Sequence, residues 1–151
     1  MALKKLKDYL ESHHVKYVVI MHSTAYTAQE VAAYAHIPGK EMAKTVMVKV
    51  DGRMTMAVLP ATQNVQFNQL KKALGAQTVE LANEKEFRDL FPDCEIGAMP
   101  PFGSFYDVPM VVSADLAEDE EIVFNACSHR EAIRMSYSDF ENLVKPKILD
   151  F

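Results

Sequence analysis

Only two cysteines, Cys94 and Cys127, occur among the 151 residues. With no export signal in view they are expected to be free thiols of a reducing cytoplasm, not a structural disulfide. The amino terminus carries Lys4, Lys5 and Lys7 but no following apolar segment or small-residue cleavage site, so a secretory leader is not expected. Nowhere do about 18 apolar residues run uninterrupted, which excludes a membrane-spanning helix. Ligand-spaced metal donors are missing as well. His13 and His14 are adjacent and diverge, and His22, His36 and His129 have no partner at a useful spacing. There is no glycine-rich phosphate loop ending in Lys-Ser/Thr and no Gly-x-Ser-x-Gly elbow, so neither a P-loop nor a serine hydrolase fits. No metal and no cofactor is expected.

What is present suits an ordinary folded domain spanning 1–151. Hydrophobic residues make up 49% and charged residues 25%, enough to close a core and too balanced for disorder. The net charge of −5 argues against a protein that coats nucleic acid by neutralising phosphates, and DNA is not an expected partner. That charge is uneven, +3 over residues 1–53 and −8 over the remainder. Such a distribution suits one RNA end held at one place, although asymmetry of this size also arises by chance.

Leu3, Leu6 and Leu10 at helical spacing predict a first amphipathic helix, and Tyr17–Met21 a buried strand. Thr27 and Glu30 form a capping box opening a helix to about Ala35. The runs from Lys44 to Val50 and Met54 to Leu59 flank Asp51-Gly52, a β-hairpin signal. A helix from Gln69 to Leu74 stops at Gly75, a strand follows near Thr78–Leu81, and Asn83 with Glu86 starts another helix toward Leu90. Strands are expected at Val108–Val112 and Ile122–Phe124, and Ser138 with Glu141 predicts a last capping box. Helices and strands intermix without βαβ alternation, which gives an α+β domain with a mixed β-sheet and flanking helices.

Three features carry chemistry, each beside a plainer reading. Lys44, opening the first hairpin strand, is either a solvated strand-edge lysine or a fixed cation for a phosphate. Gly97-Ala98-Met99-Pro100-Pro101-Phe102-Gly103 is either a stiff turn or a loop aiming backbone amides at an oxyanion. His129, in Ser128-His129-Arg130, either satisfies a local hydrogen bond or lines a site.

Taken in order and spacing, Ala43-Lys44-Thr45-Val46, Leu59-Pro60-Ala61, the Gly97–Gly103 loop and Ser128-His129-Arg130 resemble the YbaK/ProX family. These are free-standing relatives of the editing domain inserted in bacterial prolyl-tRNA synthetases. The resemblance implies a partly barrel-like mixed sheet and hydrolysis, without a metal, of the ester joining a small mischarged amino acid (Ala, Cys or Ser) to the 3′ end of tRNA. It implies a substrate-assisted reaction in which a ribose hydroxyl organises the attacking water. Gly97, Pro101 and His129 would then form the catalytic set. Lys44, Met99, Pro100, Phe102, Gly103, Cys127 and Ser128 would bind substrate, and Lys44 would hold a phosphate or ribose-side group. Aminoacyl-tRNA and prolyl-tRNA synthetase are the implied partners, in the cytoplasm. Cys127 departs from the pattern, which carries glycine there in a small-residue turn. A tRNA-end or synthetase-binding module without turnover remains the alternative.

Overall fold

The Asp-Gly pair after Val50 reverses the chain in two residues. In the computed structural model, which describes residues 2–151, Asp51 and Gly52 sit at φ 50° and 82°. Positive φ at both central positions is what a type I′ hairpin needs. Strands β2 (Ala43–Val50) and β3 (Arg53–Pro60) therefore pair in unbroken register, from Val50↔Arg53 to Ala43↔Pro60. The Asp51 carboxylate also accepts the N–H groups of Gln77 and Thr78, each at 2.8 Å. That clamp lays β4 (Val79–Leu81) along the outer edge of β2.

On its other side β3 pairs in parallel with β5 (Met110–Ser113), and β5 with β8 (Lys147–Leu149), completing a sheet in the order β4-β2-β3-β5-β8. A second, antiparallel sheet has the order β1-β7-β6, from β1 (Tyr17–Met21), β6 (Glu121–Ser128) and β7 (Glu131–Ser136). The strands thus form two sheets, five-stranded mixed and three-stranded antiparallel, joined by one bridge between Met42 and Val123. A closed barrel needs every edge paired. Here β1, β4 and β8 each have a single strand partner, so no closed barrel forms among the described residues.

Helix α1 (Ala2–Ser12) buries Leu6 and Leu10 in the main core. Helix α2 (Ala28–Tyr34) is capped by Thr27, whose hydroxyl accepts the Glu30 N–H and donates to the Glu30 carboxylate, both at 3.1 Å. Glu30 thus returns to the hydroxyl instead of the cap backbone. Helix α3 (Phe67–Leu74) stops at Gly75, φ 63°, and α4 (Glu84–Phe87) carries a full capping box from Asn83 and Glu86. Helix α5 (Tyr137–Val144) begins earlier than the sequence predicts. Its cap is Ser136, accepting the Asp139 N–H at 3.0 Å, because Tyr137 is buried and its amide is tied to the Glu120 carbonyl at 2.8 Å. Under these helices Phe102 packs on Phe124 and Phe140, with ring centroids 5.5 and 5.7 Å away.

Candidate functional site

The site starts from a bend laid against the end of β6. The Glu95 N–H donates to the Cys127 carbonyl, and the Cys127 N–H to the Ala98 carbonyl, both at 2.9 Å. Between these ties the chain turns at Gly97, φ 88°, with its amide donating to Met99 Sδ at 3.2 Å. A thioether is a weak acceptor, so this N–H is lightly held. On the β6 side the register shifts between Asn125 and Ser128, and Cys127 takes φ 72°. Glycine would adopt that angle freely; cysteine does so at a cost on the order of 1–2 kcal/mol.

His129 follows in the turn to β7 and is only 8% exposed. Its Nε2 lies 2.9 Å from the Ile96 carbonyl, a contact that requires Nε2 to be the protonated nitrogen. Nδ1 is buried, with no hydrogen-bond partner among the described residues. Glu95 braces the same residue, its carboxylate accepting the His129 N–H at 3.3 Å, while Tyr26 places its ring 4.9 Å from the imidazole. A Cβ on Gly97 would meet His129 Cε1 at 3.5 Å, an ordinary contact. Backbone angle, not lack of room, is what selects glycine at 97.

In front of this bend is a cavity of about 220 Å³. Four segments line it: the start of α2 (Thr27, Ala28), the start of β2 (Ala43, Lys44, Thr45), the loop (Gly97, Met99), and Asn125 of β6. Lys44 is half-buried, which lowers its pKa from the usual lysine value, and among the described residues its Nζ has one long contact, 3.4 Å to Asn64 Oδ1. A partly desolvated cation therefore faces the same space as a loosely held amide. Asn125 adds a side-chain amide that is 9% exposed, with Oδ1 buried and unpaired among the described residues.

Of the residues singled out in the sequence, Lys44, Gly97 and Met99 share this cavity, and His129 backs it through Gly97. Pro100, Pro101, Phe102 and Gly103 are buried instead. Phe102 belongs to the aromatic core, and a Cβ on Gly103 would strike the Val108 carbonyl oxygen. Cys127 and Ser128 line a second cavity, of about 370 Å³, together with Cys94 and Glu131. Ser128 Oγ donates to the Glu131 carboxylate at 3.3 Å. Thr27, Thr45 and Asn125 were not foreseen as lining residues. The available signal for Asn125 was one amide inside the otherwise apolar run Ile122–Cys127. Among the described residues no three His, Cys, Asp or Glu side chains gather to hold a metal ion, and no helix is long and apolar enough to cross a membrane.

The family model for the aminoacyl-tRNA editing domain matches residues 22–143 of this chain. Curated relatives include a proline–tRNA ligase of Bacillus cytotoxicus, 31% identical over 103 residues, covering 68% of this chain and 18% of that protein. Another is a proline–tRNA ligase of Bacillus mycoides, 28% identical over 100 residues, covering 66% of this chain and 17% of the ligase. The chain thus spans less than a fifth of these relatives. Among solved structures, the hypothetical protein APE2540 superposes with a TM-score of 0.85 at 19% identity, covering 97% of both chains. A candidate trans-editing enzyme for prolyl tRNA synthetase superposes with a TM-score of 0.81 at 20% identity, covering 99% of this chain and 95% of the other.

Proposed function

Because the chain belongs to the aminoacyl-tRNA editing domain family, we propose that it is an aminoacyl-tRNA deacylase. Its substrate is a small mischarged amino acid, of the Ala, Cys or Ser class, in ester linkage to the 3′-terminal adenosine of tRNA. The observation that carries this reading is the pairing, in one cavity, of the half-buried Lys44 ammonium with a Gly97 amide held only by a thioether. Lys44 binds a phosphate at the tRNA end. The Gly97 N–H exchanges Met99 Sδ for the ester carbonyl oxygen and stabilises the charge that develops there as water attacks. The acyl–oxygen bond then breaks, releasing the amino acid and a ribose hydroxyl. His129, bonded to the Ile96 carbonyl, keeps the bend and therefore that amide in place. No protein nucleophile or metal enters this scheme, and a ribose hydroxyl of the substrate organises the water.

The chemistry answers a discrimination problem. A synthetase pocket separates amino acids differing by a methylene by only about 1–3 kcal/mol, so a second, hydrolytic sieve is needed. Kinship with proline–tRNA ligases supports prolyl-tRNA synthetase as the enzyme whose errors are cleared, in the cytoplasm where charging takes place.

Following ester loss from a panel of mischarged tRNAs, each incubated with purified protein, tests the reading. Rapid loss from small aminoacyl esters is expected; binding of tRNA with no ester loss would leave a recognition module in its place. Exhaustive chelation is expected to leave the rate unchanged, and activity restored by added zinc would overturn the metal-free scheme.

Asn125 separates substrate contact from packing. If its amide meets the bound ester, Asn125→Leu loses one neutral hydrogen bond, about 1–1.5 kcal/mol, or roughly a tenfold drop in kcat/KM. Removing an unpaired buried polar group does not weaken the fold, so Tm should hold or rise. An unchanged kcat/KM would exclude Asn125 from the substrate.

A further inference from the structure

The second cavity holds a group of side chains that the proposed hydrolysis does not use. Cys94 and Cys127 both line it, and both thiols reach the hydroxyl of Tyr106, at 3.3 Å and 4.0 Å. Their backbones are already coupled, since the Glu95 N–H donates to the Cys127 carbonyl at 2.9 Å. Such a bond holds neighbouring backbones about 5 Å apart, and a disulfide spans Cα separations of about 4.4–6.8 Å. We propose that Cys94 and Cys127 form a reversible disulfide that switches off the cavity containing Gly97 and Lys44. The chemistry of the pair stands on its own; the switching rests on the deacylase reading.

The two thiols are unequal. Hydrogen bonding with Cys127 and with Tyr106 outweighs burial and holds the Cys94 thiol below its usual pKa. The Cys127 thiol is pushed up by its contact with Cys94 and by burial. Cys94 is half-buried and Cys127 buried, so an oxidant in the cavity meets Cys94 first. With a small disulfide such as oxidised glutathione, the Cys94 thiolate attacks one sulfur. A mixed S–S bond forms and a glutathione thiolate leaves. Cys127 sulfur then attacks Cys94 sulfur, forming the protein disulfide and expelling the second glutathione. The two thiol protons end on the two glutathione molecules, so the protein loses two hydrogens and the oxidant gains them.

The geometry links that bond to the site. Cys94 lies three residues before Gly97, and Cys127 two before His129. The stretch between carries the Ile96 carbonyl that holds His129 Nε2 and the Gly97 amide itself. Two sulfurs that now both contact the Tyr106 hydroxyl must close to bonding distance, about 2.05 Å, which disturbs those contacts and draws the bend onto β6. A misplacement of about 1 Å in a reacting geometry costs on the order of a hundredfold.

The test equilibrates the full chain with oxidised glutathione, alkylates the remaining thiols, and reads intact mass beside single-turnover deacylation. Two alkylatable thiols should disappear in a monomer lighter by two hydrogens, with hydrolysis falling at least tenfold and both changes reversed by dithiothreitol. Cys94→Ser should keep its rate under the same treatment. Cys127→Ser should stop at a glutathione adduct on Cys94, which checks the order of attack even if the internal bond is strained. Two thiols still alkylatable in the wild type, a disulfide joining two chains, or an internal disulfide with an unchanged rate would each overturn the proposal. Reduced protein that cleaves no ester would defeat the deacylase reading instead, leaving the mass measurement to judge the thiol pair.

Discussion

Gly97→Ala is expected to slow single-turnover deacylation by on the order of 10²–10³, the usual cost of losing one oxyanion donor. At φ 88° an alanine relaxes toward negative φ and turns the residue-97 amide away from the cavity. Since the added Cβ would meet His129 Cε1 at an unremarkable 3.5 Å, a clash is not the cause. The strained angle also lowers stability by roughly 1–2 kcal/mol, equivalent to a Tm drop of several degrees for a domain of this size. Gly97→Val, with its branched Cβ, should nearly abolish cleavage. Pro101→Ala is the comparison: Pro101 is buried beside the loop, and its loss loosens the bend with a smaller rate effect. Hydrolysis of one mischarged tRNA by the three variants, at temperatures where all remain folded, decides the matter. A Gly97→Val protein that cleaves at the parental rate would mean this amide does not serve the ester.

Lys44→Ala should weaken the reaction ten- to a hundredfold while leaving Tm nearly unchanged. A charge-assisted hydrogen bond to phosphate contributes about 1.5–3 kcal/mol. Among the described residues Lys44 Nζ has only the 3.4 Å contact with Asn64, so its removal strands no partner there. The diagnostic measurement is salt dependence. An ammonium that neutralises one phosphate contributes about one unit to the slope of log affinity against log salt. The alanine variant should lose that unit, and a slope equal to the parent's would make Lys44 a packing residue.

The elements most legible in the sequence were those fixed by local chemistry. Asp51-Gly52 announced the hairpin because both residues tolerate positive φ, and Gly75 announced the end of α3 for the same reason. Thr27 and Asn83 were visible as caps because a side-chain oxygen and the third residue beyond it suffice. Ser138 looked equally good as a cap. Ser136 has the role because β7 runs directly into α5 and Tyr137 is drawn into the core. The split into two sheets could not be read, since it turns on which distant strands meet, such as Met42 with Val123. Lys44 and Gly97 stood out as a cation on a rigid strand and a glycine in a stiff loop. That they face one space is a tertiary fact. Phe102 and Gly103 were expected to bind substrate because they share the loop with Gly97, yet the loop folds inward there and both are buried. Asn125 escaped notice because the face of a strand residue is unreadable across a register shift, and β6 carries one from Asn125 to Ser128.

The ordering of contacts has a kinetic consequence. The β2–β3 hairpin closes over a two-residue loop and can form within microseconds. The parallel pairings of β3 with β5 and of β5 with β8 join segments far apart along the chain, so their loop-closure entropy must be spent before they reward the protein. The cavity drawing on α2, β2, the Gly97 loop and β6 straddles these early and late parts. An isolated hairpin is marginally stable in water, so Lys44 is held firmly only after the later segments carrying Gly97 and Asn125 have packed against it. The lining of that cavity is complete only once residues as late as Asn125 have packed against the hairpin, so the space in front of Lys44 is a product of the slow, long-range steps.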